Sequence, residues 1–459
     1  MALTAFPTVR VNTASASADD AASGAGPATA ITGTMLVSTN STTISFSGTP
    51  DLSGVAEDGT HTVLIDGLGY VRISTRDNAA KTAVVETAIS ITAGTKFAIG
   101  GTIPSLNGSN ARKLFAATAG PTTNFGASGR WTIDLESDDS ISSAMTLSFT
   151  AGTGKLIVQS SSSSARRQFT QTGNATHFTC NTANRIEFQR VQFRNSNATK
   201  QAVFTTTAGI VIVLRDCIAG AADGTDCPLH CVLWSSGSAV HLAFYDTAVI
   251  RCTSHGLTPF ANTLRMVGCD ISRNGGSGIN FTSGGSIDAY QTVISHNTSF
   301  GVNSAAAVNI ARNCTISDNG NTGWRNNGGG PDVTMVNNQF TRNAGWGLQV
   351  TTAMTSQSKI EFNNFGNASD SSANTSGSAT LPAADTFSAT NITLASGYTD
   401  TAIGVRNYAV GSLMKAAGHP VSSRTIGAGQ SGTFSFVDIG AAQREEPAAA
   451  GTPAFVAFG

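Results

Sequence analysis

Two aspartates, Asp246 and Asp270, have the residue type and the spacing for hydrolysis of a glycosidic bond. They lie shortly before two apolar residues of a recurring pattern, three places before Val249 and one place before Ile271. If the two stretches stack as adjacent strands, the aspartate backbones are about 8 Å apart, which suits an inverting pair of carboxylates. The alternative is that both are ordinary solvated side chains at bends.

Aromatic and basic side chains recur at fixed distances from the same apolar residues. Tyr245 and Tyr290 share one offset and predict a platform for a sugar ring. Two places after the apolar residues stand Arg251, Arg273, His296, Asp318 and Arg342. The four basic members of this column predict a site for an acidic glycan, because arginine binds carboxylates bidentately. The alternative is a charged edge that resists pairing with other β-structure.

A metal site has weaker grounds. Cys227 and Cys231 flank His230, with Asp226 and His241 near in sequence. A Cys-x3-Cys pair without a second pair is weak evidence for zinc, and buried thiols are the alternative. The seven cysteines are scattered rather than paired at framework spacings. We therefore predict no metal, no cofactor and no requirement for disulfides.

The elements that must position these residues form an internal repeat. The phrase is an apolar anchor, then Ser or Thr, any residue, Asn, three other residues, Gly and a second apolar residue. Its anchors are Phe193, Ile218, Val249, Ile271, Ile294, Ile316, Phe340 and Phe365. Most spacings are 22 to 25 residues, and the spacing of 31 after Ile218 predicts a protruding loop over 222–234.

Columns of like residues are expected to stack from one coil to the next. Asparagines three places after the anchors predict a structural ladder, formed by Asn274, Asn297, Asn319 and Asn343. Glycines seven places after the anchors predict turns with positive φ, at Gly256, Gly278, Gly301, Gly323 and Gly347. Apolar residues seven and five places before the anchors predict an inward strand face. The chain lacks the leucine density of leucine-rich repeats, so a parallel β-helix is favoured.

The domain organisation follows from the extent of the repeat. Residues 1–30 are rich in Ala, Ser, Asp and Gly and predict an extended arm or linker. Residues 31–100 contain short alternating runs that predict a small antiparallel barrel or sandwich. Residues 101–368 predict the β-helix, including a helix-like N-terminal cap at 111–119. Residues 369–459 predict a spacer and a β-rich C-terminal cap that serves in oligomerisation.

Composition excludes some classes of function. Only 12% of the residues are charged and the net charge is −1, so a basic nucleic-acid surface is not expected. No run of 18 apolar residues predicts a membrane span, and the opening MALTAFPTVRVNT predicts no signal peptide. The neutral, hydroxyl-rich composition is typical of an exterior protein. An exterior protein without a signal peptide is explained if the protein leaves the cell inside an assembled particle.

The repeated region resembles the right-handed parallel β-helix group, which includes pectate lyases and phage tailspikes. The closing VDIGAAQREEP is similar to the Asp-Ile-Gly-Ala terminus of such phage chains. No cluster here matches the calcium ligands and catalytic arginine of pectate lyases. The resemblance implies a homotrimeric bacteriophage tail-fibre or tailspike-like virion protein, docked to other virion proteins through its N-terminal domain. A depolymerase of host surface polysaccharide and a bacterial surface adhesin are the alternatives.

Overall fold

The computed structural model describes residues 6–15, 21–108, 130–147, 154–180, 185–197, 199–205, 210–234, 241–259, 263–282, 284–355, 357–361 and 363–366. The chain divides into two compact units, Met1–Cys217 and Ile218–Gly459. Among the described residues every regular element is a β-strand. The prediction of an all-β parallel β-helix preceded by an antiparallel β domain is confirmed.

The first unit contains seventeen described strands. In chain order these are β1 (Thr8–Val11), β2 (Ile31–Thr34), β3 (Thr39–Ser45), β4 (Thr62–Ile65), β5 (Gly69–Asp77), β6 (Thr82–Ile91), β7 (Lys96–Ile99), β8 (Arg130–Leu135), β9 (Asp139–Ile141), β10 (Met145–Leu147), β11 (Lys155–Ser160), β12 (Arg167–Gln171), β13 (Phe178–Cys180), β14 (Arg185–Gln189), β15 (Val191–Asn195), β16 (Val203–Thr205) and β17 (Val211–Arg215).

Six of these strands form the antiparallel sheet, in the order β2-β7-β4-β5-β6-β3. A bridge between Met35 and Phe46 joins the ends of the two edge strands. The enclosed core includes Phe46 and Phe97, whose ring centroids are 4.3 Å apart. Alternating apolar residues therefore turn one face of each strand inward, as the sequence pattern requires.

The remaining strands of the first unit are parallel and form the opening coils. They lie in three sheets, ordered β1-β8-β11-β14-β17, β9-β12-β15 and β10-β13-β16. The sets β8–β10, β11–β13 and β14–β16 each supply one strand to every sheet. The strand β1 lies inside the predicted extended arm, yet it pairs with β8 from Thr8↔Thr132 to Val11↔Leu135. Val9 and Val11 are fully buried, and this burial keeps the segment against the coil.

The second unit contains the regular coils. Its strands are β18 (Ile218–Ala219), β19 (Val232–Trp234), β20 (His241–Tyr245), β21 (Ala248–Ile250), β22 (Leu257–Thr258), β23 (Thr263–Val267), β24 (Asp270–Ser272), β25 (Ile279–Phe281), β26 (Ser286–Tyr290), β27 (Val293–Ser295), β28 (Val302–Ser304), β29 (Val308–Arg312), β30 (Thr315–Ser317), β31 (Trp324–Asn326), β32 (Asp332–Val336), β33 (Gln339–Thr341), β34 (Leu348–Val350), β35 (Lys359–Glu361) and β36 (Asn364–Gly366).

Three parallel sheets run along this unit. We call them the first-strand sheet (β20-β23-β26-β29-β32-β35), the second-strand sheet (β18-β21-β24-β27-β30-β33-β36) and the third-strand sheet (β19-β22-β25-β28-β31-β34). The predicted anchors pair in register, from Ile271↔Ile294 to Phe340↔Phe365. The exception is Ile218, which pairs with Ala248, whereas Ala219 pairs with Val249. Ala219 is the buried residue of this strand, so the predicted anchor Ile218 lies one place before the buried anchor position.

The loop predicted over 222–234 is smaller than expected. Its residues 222–226 are exposed, but Cys227 and Cys231 are buried and Val232–Trp234 is β19. The carbonyls of Pro228 and Leu229 accept hydrogen bonds from the following coil, which holds this part within the stack. The predicted cap at 111–119 and the C-terminal segment 369–459 lie outside the described residues. Within the described residues, no helix has the length and apolarity to span a membrane.

Candidate functional site

The predicted site residues lie at two corners of each coil or in the strands next to them. Between the first and second strands, a single residue turns the chain with positive φ, as at Asp246 (47°), Gln291 (47°) and Asn313 (53°). After the second strand a second such corner falls at the predicted basic column, which consists of Arg251 (55°), Arg273 (59°), His296 (56°), Asp318 (59°) and Arg342 (56°). Left-handed conformations are uncommon for residues other than glycine. These columns are therefore fixed first by backbone geometry, and their side chains project from corners.

The two candidate catalytic aspartates stand on adjacent coils but in different environments. The backbone N–H of Asp270 donates to the carbonyl of Thr247 at 3.1 Å, and Asp270 pairs in register with Ala248. Asp246 is exposed, whereas Asp270 lies in a strand of three buried residues and is only 7% exposed. Paired acid and base catalysis requires both carboxylates to reach the same bond. The structure thus brings the backbones together but does not present both carboxylates to one exposed surface.

The two tyrosines share one column of the first-strand sheet. Tyr245 pairs with Val267, and Val267 pairs with Tyr290. One coil separates the tyrosines, a distance of about 9.6 Å along the stack. Both are partly exposed, and the Tyr290 hydroxyl accepts a hydrogen bond of 3.4 Å from the Asn313 amide. This column could contact a ligand, but Val267 interrupts the platform.

The basic column is partly neutralised by its own acidic member. Arg342 donates to both carboxylate oxygens of Asp318, at 2.6 and 2.7 Å, and His296 lies 3.9 Å from the same carboxylate. Partial burial alone would raise the pKa of Asp318, but the hydrogen bonds and charge of Arg342 outweigh it and lower that pKa. The column is therefore a mixed-charge edge along this stretch rather than a row of available cations.

The asparagine column is a continuous buried ladder. The Asn274 side-chain amide donates to Asn297 Oδ1 at 2.8 Å, Asn297 to Asn319 at 2.9 Å, and Asn319 to Asn343 at 2.8 Å. Each amide also donates to a carbonyl of the preceding coil, such as Ile271 O from Asn297 at 3.1 Å. Each Oδ1 in turn accepts a backbone N–H, as Asn297 does from Asn274 at 3.1 Å. With these groups satisfied internally, the ladder is structural and faces no ligand.

A charged cluster in the first unit was missed by the sequence reasoning. Glu187 is 3% exposed, although its side chain belongs to the outer face of its sheet. Its carboxylate pairs with Lys155 at 2.6 Å, Arg215 at 2.9 Å and Arg185 at 3.3 Å. Burial alone would raise the pKa of Glu187, but hydrogen bonds from Lys155, Gln189 and Arg215 and the charge of Lys155 lower it to about 2. The sequence signal for this cluster is weak: Lys155, Arg185 and Arg215 recur near Glu187 on successive coils.

The cysteines and histidines near 230 are characterised by their burial and packing. All seven cysteines are buried and free, and burial raises the pKa of Cys217, Cys269 and Cys314 to about 12. Within the described ranges, no group of three or more His, Cys, Asp or Glu side chains is placed to hold a metal ion. His230 instead stacks on His255, with ring centroids 5.8 Å apart. These side chains are packing elements.

Comparisons with known proteins bear on the fold. No curated protein matches this chain. Among solved structures, the chain is similar to "Crystal structure of pectate lyase Pel9A", with 14% identity, a TM-score of 0.36, and coverage of 74% of this chain and 93% of that one. Residues 261–392 match the family described as "Right handed beta helix region", which gives the coils the predicted handedness.

Proposed function

We propose that this protein binds polysaccharide at a host surface and acts in attachment rather than cleavage. The observation that carries the proposal is the contrast between exposed Asp246 and buried Asp270, since the best candidate pair is not shared by one surface. Partly exposed tyrosine, amide and arginine side chains on the coils supply groups that stack on sugars and bind hydroxyls. A repetitive scaffold with an internally satisfied ladder holds such groups rigidly.

Binding and cleavage are separated by one experiment. The full chain is incubated with purified capsule and lipopolysaccharide, and both retention of the protein and release of new reducing ends are measured. We expect retention without new reducing ends, and no change for Asp246→Asn. If the wild type releases new reducing ends and Asp246→Asn does not, the protein is a depolymerase and the proposed attachment function is wrong.

We also propose that the protein is a homotrimeric structural component of a bacteriophage virion, with its antiparallel domain docked to the particle. The supporting observations are the low charge content and an antiparallel β domain that precedes the regular coils in the sequence. Immunogold labelling of purified particles and sedimentation equilibrium of the full chain test this. Particles that are not labelled would reject the virion location, and a monomeric mass would reject the homotrimer.

A further inference from the structure

The outer face of the third-strand sheet carries a column of planar polar side chains. Asn280 pairs in register with Asn303, Asn303 with Arg325, and Arg325 with Gln349. All four are partly exposed, and Asn303 donates to Asn280 Oδ1 at 2.9 Å. We call these four residues the amide column. None of them belongs to the corners or the tyrosine column considered above.

Two aromatic residues, Phe300 and Trp346, lie three places before members of the amide column, Asn303 and Gln349. The backbone N–H of Gly301 donates to Thr322 O, and that of Gly323 donates to Trp346 O, so Phe300, Thr322 and Trp346 occupy equivalent places on successive coils. Phe300 and Trp346 are both partly exposed. They are two coils apart, about 9.6 Å, which is close to the length of a disaccharide unit in an extended chain. Their spacing therefore matches the repeat of an extended polysaccharide chain that lies along the coil axis.

Arg325 gives this face its charge. Its guanidinium lies over the Phe300 ring, with Cζ 5.3 Å from the centroid. Among the described residues it has no carboxylate partner, whereas Arg342 is held by Asp318 and Arg215 by Glu187. A cation over an aromatic ring keeps its planar donors in a fixed orientation. An anionic group on a bound chain would complement it.

We propose that the amide column, with Phe300 and Trp346, is a binding surface for an acidic polysaccharide, which lies along the coil axis. Trp346 stacks on a sugar ring, the amides hydrogen-bond hydroxyls, and Arg325, held over the Phe300 ring, binds a uronate carboxylate. This inference rests on the proposed polysaccharide attachment. It adds that the outer face of the third-strand sheet binds the ligand and that the ligand is anionic.

The test uses alginate, a uronic acid polymer, and carboxyl-reduced alginate as its neutral match. Affinity electrophoresis of the full chain measures the dissociation constant for each polymer. We expect Trp346→Ala and Arg325→Gln each to weaken alginate binding about tenfold. Trp346→Phe keeps a ring and should bind much as the wild type does. Arg325→Gln should remove most of the preference for alginate over the reduced polymer.

Lys359→Gln, at an exposed lysine of the first-strand sheet, is the matched control for the loss of a cation and should bind as the wild type does. Far-ultraviolet circular dichroism and a thermal melt establish that each variant is folded. If the wild type binds alginate while Trp346→Ala and Arg325→Gln bind it equally well, this face is not the site. The same holds if Lys359→Gln loses as much affinity as Arg325→Gln. In either case polysaccharide attachment still stands. If the wild type binds alginate no better than its reduced form, the assignment to acidic chains is wrong. Failure of the wild type to bind alginate, capsule or lipopolysaccharide overturns both proposals.

Discussion

The glycines of the repeat show how a residue type can be predicted for the wrong reason. The sequence predicted positive φ at Gly256, Gly278, Gly301, Gly323 and Gly347, and that prediction is wrong, because positive φ falls at the corner columns instead. A Cβ atom on Gly323 would lie 2.7 Å from Gly347 O and 2.9 Å from Asn343 Nδ2. Close approach to the next coil and its ladder excludes side chains here.

Gly323→Ala should accordingly destabilise the protein. Neither the backbone carbonyl nor the buried amide can move without breaking hydrogen bonds, so we expect a loss of about 1–3 kcal/mol in the free energy of unfolding, measured by denaturant titration. Gly284→Ala is the matched control, because a Cβ there meets no atom within 4 Å. Equal stability of the two variants would contradict this explanation of the glycine column.

His177 predicts a pH dependence of stability. Its ring is fully buried, and Nε2 contacts the carbonyls of Phe169 at 2.9 Å and Arg194 at 2.7 Å. Burial lowers its pKa from 6.5 to about 4. Between these values the unfolded chain takes up a proton that the folded chain does not, so stability falls as pH decreases through this window, by up to about 3 kcal/mol.

The contribution of His177 can be isolated by substitution. His177→Phe should lower stability at pH 7, because two carbonyls lose their donor, but should reduce the further loss between pH 7 and pH 4.5. Denaturant titrations at both pH values measure this difference, with His241→Gln, at an exposed residue, as the control. A His177→Phe protein with the full wild-type pH dependence would exclude His177 as its source.

The asparagine ladder is the element that the sequence specified most fully. Residue type and a period in the low twenties were sufficient, because each coil repeats the same hydrogen bonds. Asn297→Ala removes the donor to Ile271 O and leaves Asn274 N without its Oδ1 acceptor. We expect a loss of about 2–4 kcal/mol in unfolding free energy. Asn327→Ala, at an exposed asparagine, should change it by less than about 0.5 kcal/mol; similar losses for both variants would argue against the ladder.

Strand register was predictable only where the repeat is regular. Inward positions such as Leu264 and Met266 were identified correctly because apolar burial selects them. At β18 the apolar residue Ile218 was chosen over Ala219, although the smaller side chain occupies the buried position. The sequence identified the column from Arg251 to Arg342 but did not predict its positive φ, because the residue type there varies from Arg to Asp to His and positive φ leaves no single signature.

At the scale of the whole molecule, the sequence predicted the interior better than the function. Stacking constrains inward residues and ladders, whereas outward side chains are free to vary, so candidate sites such as Asp246 with Asp270 rested on spacing alone. Burial of Asp270 depends on how its strand packs, which no spacing reveals. The Glu187 cluster was missed for a related reason, since its partners lie on three strands of different coils.

The first residues of the chain make a further prediction. The sequence suggested an arm, but β1 covers the edge of β8, where Thr132 N and Glu136 N donate to Pro7 O and Val11 O. The backbone groups on the other side of β1 are also hydrogen-bonded, because Arg10 N donates to Gly24 O and Ile103 N donates to Arg10 O. An uncovered parallel edge is a template for pairing with another chain.

A chain that lacks residues 1–12 should therefore associate through the exposed edge of β8. Sedimentation velocity over a range of concentrations should show larger species than the full chain forms, and binding of an amyloid-type dye should increase. Arg10→Ala is the matched control, because it removes side-chain hydrogen bonds to Gly26 O and Gly101 O but keeps the backbone pairing of β1. This variant should be less stable yet sediment as the full chain does. If the truncated chain also sediments as the full chain does, then β1 is dispensable and the edge of β8 is protected by other means.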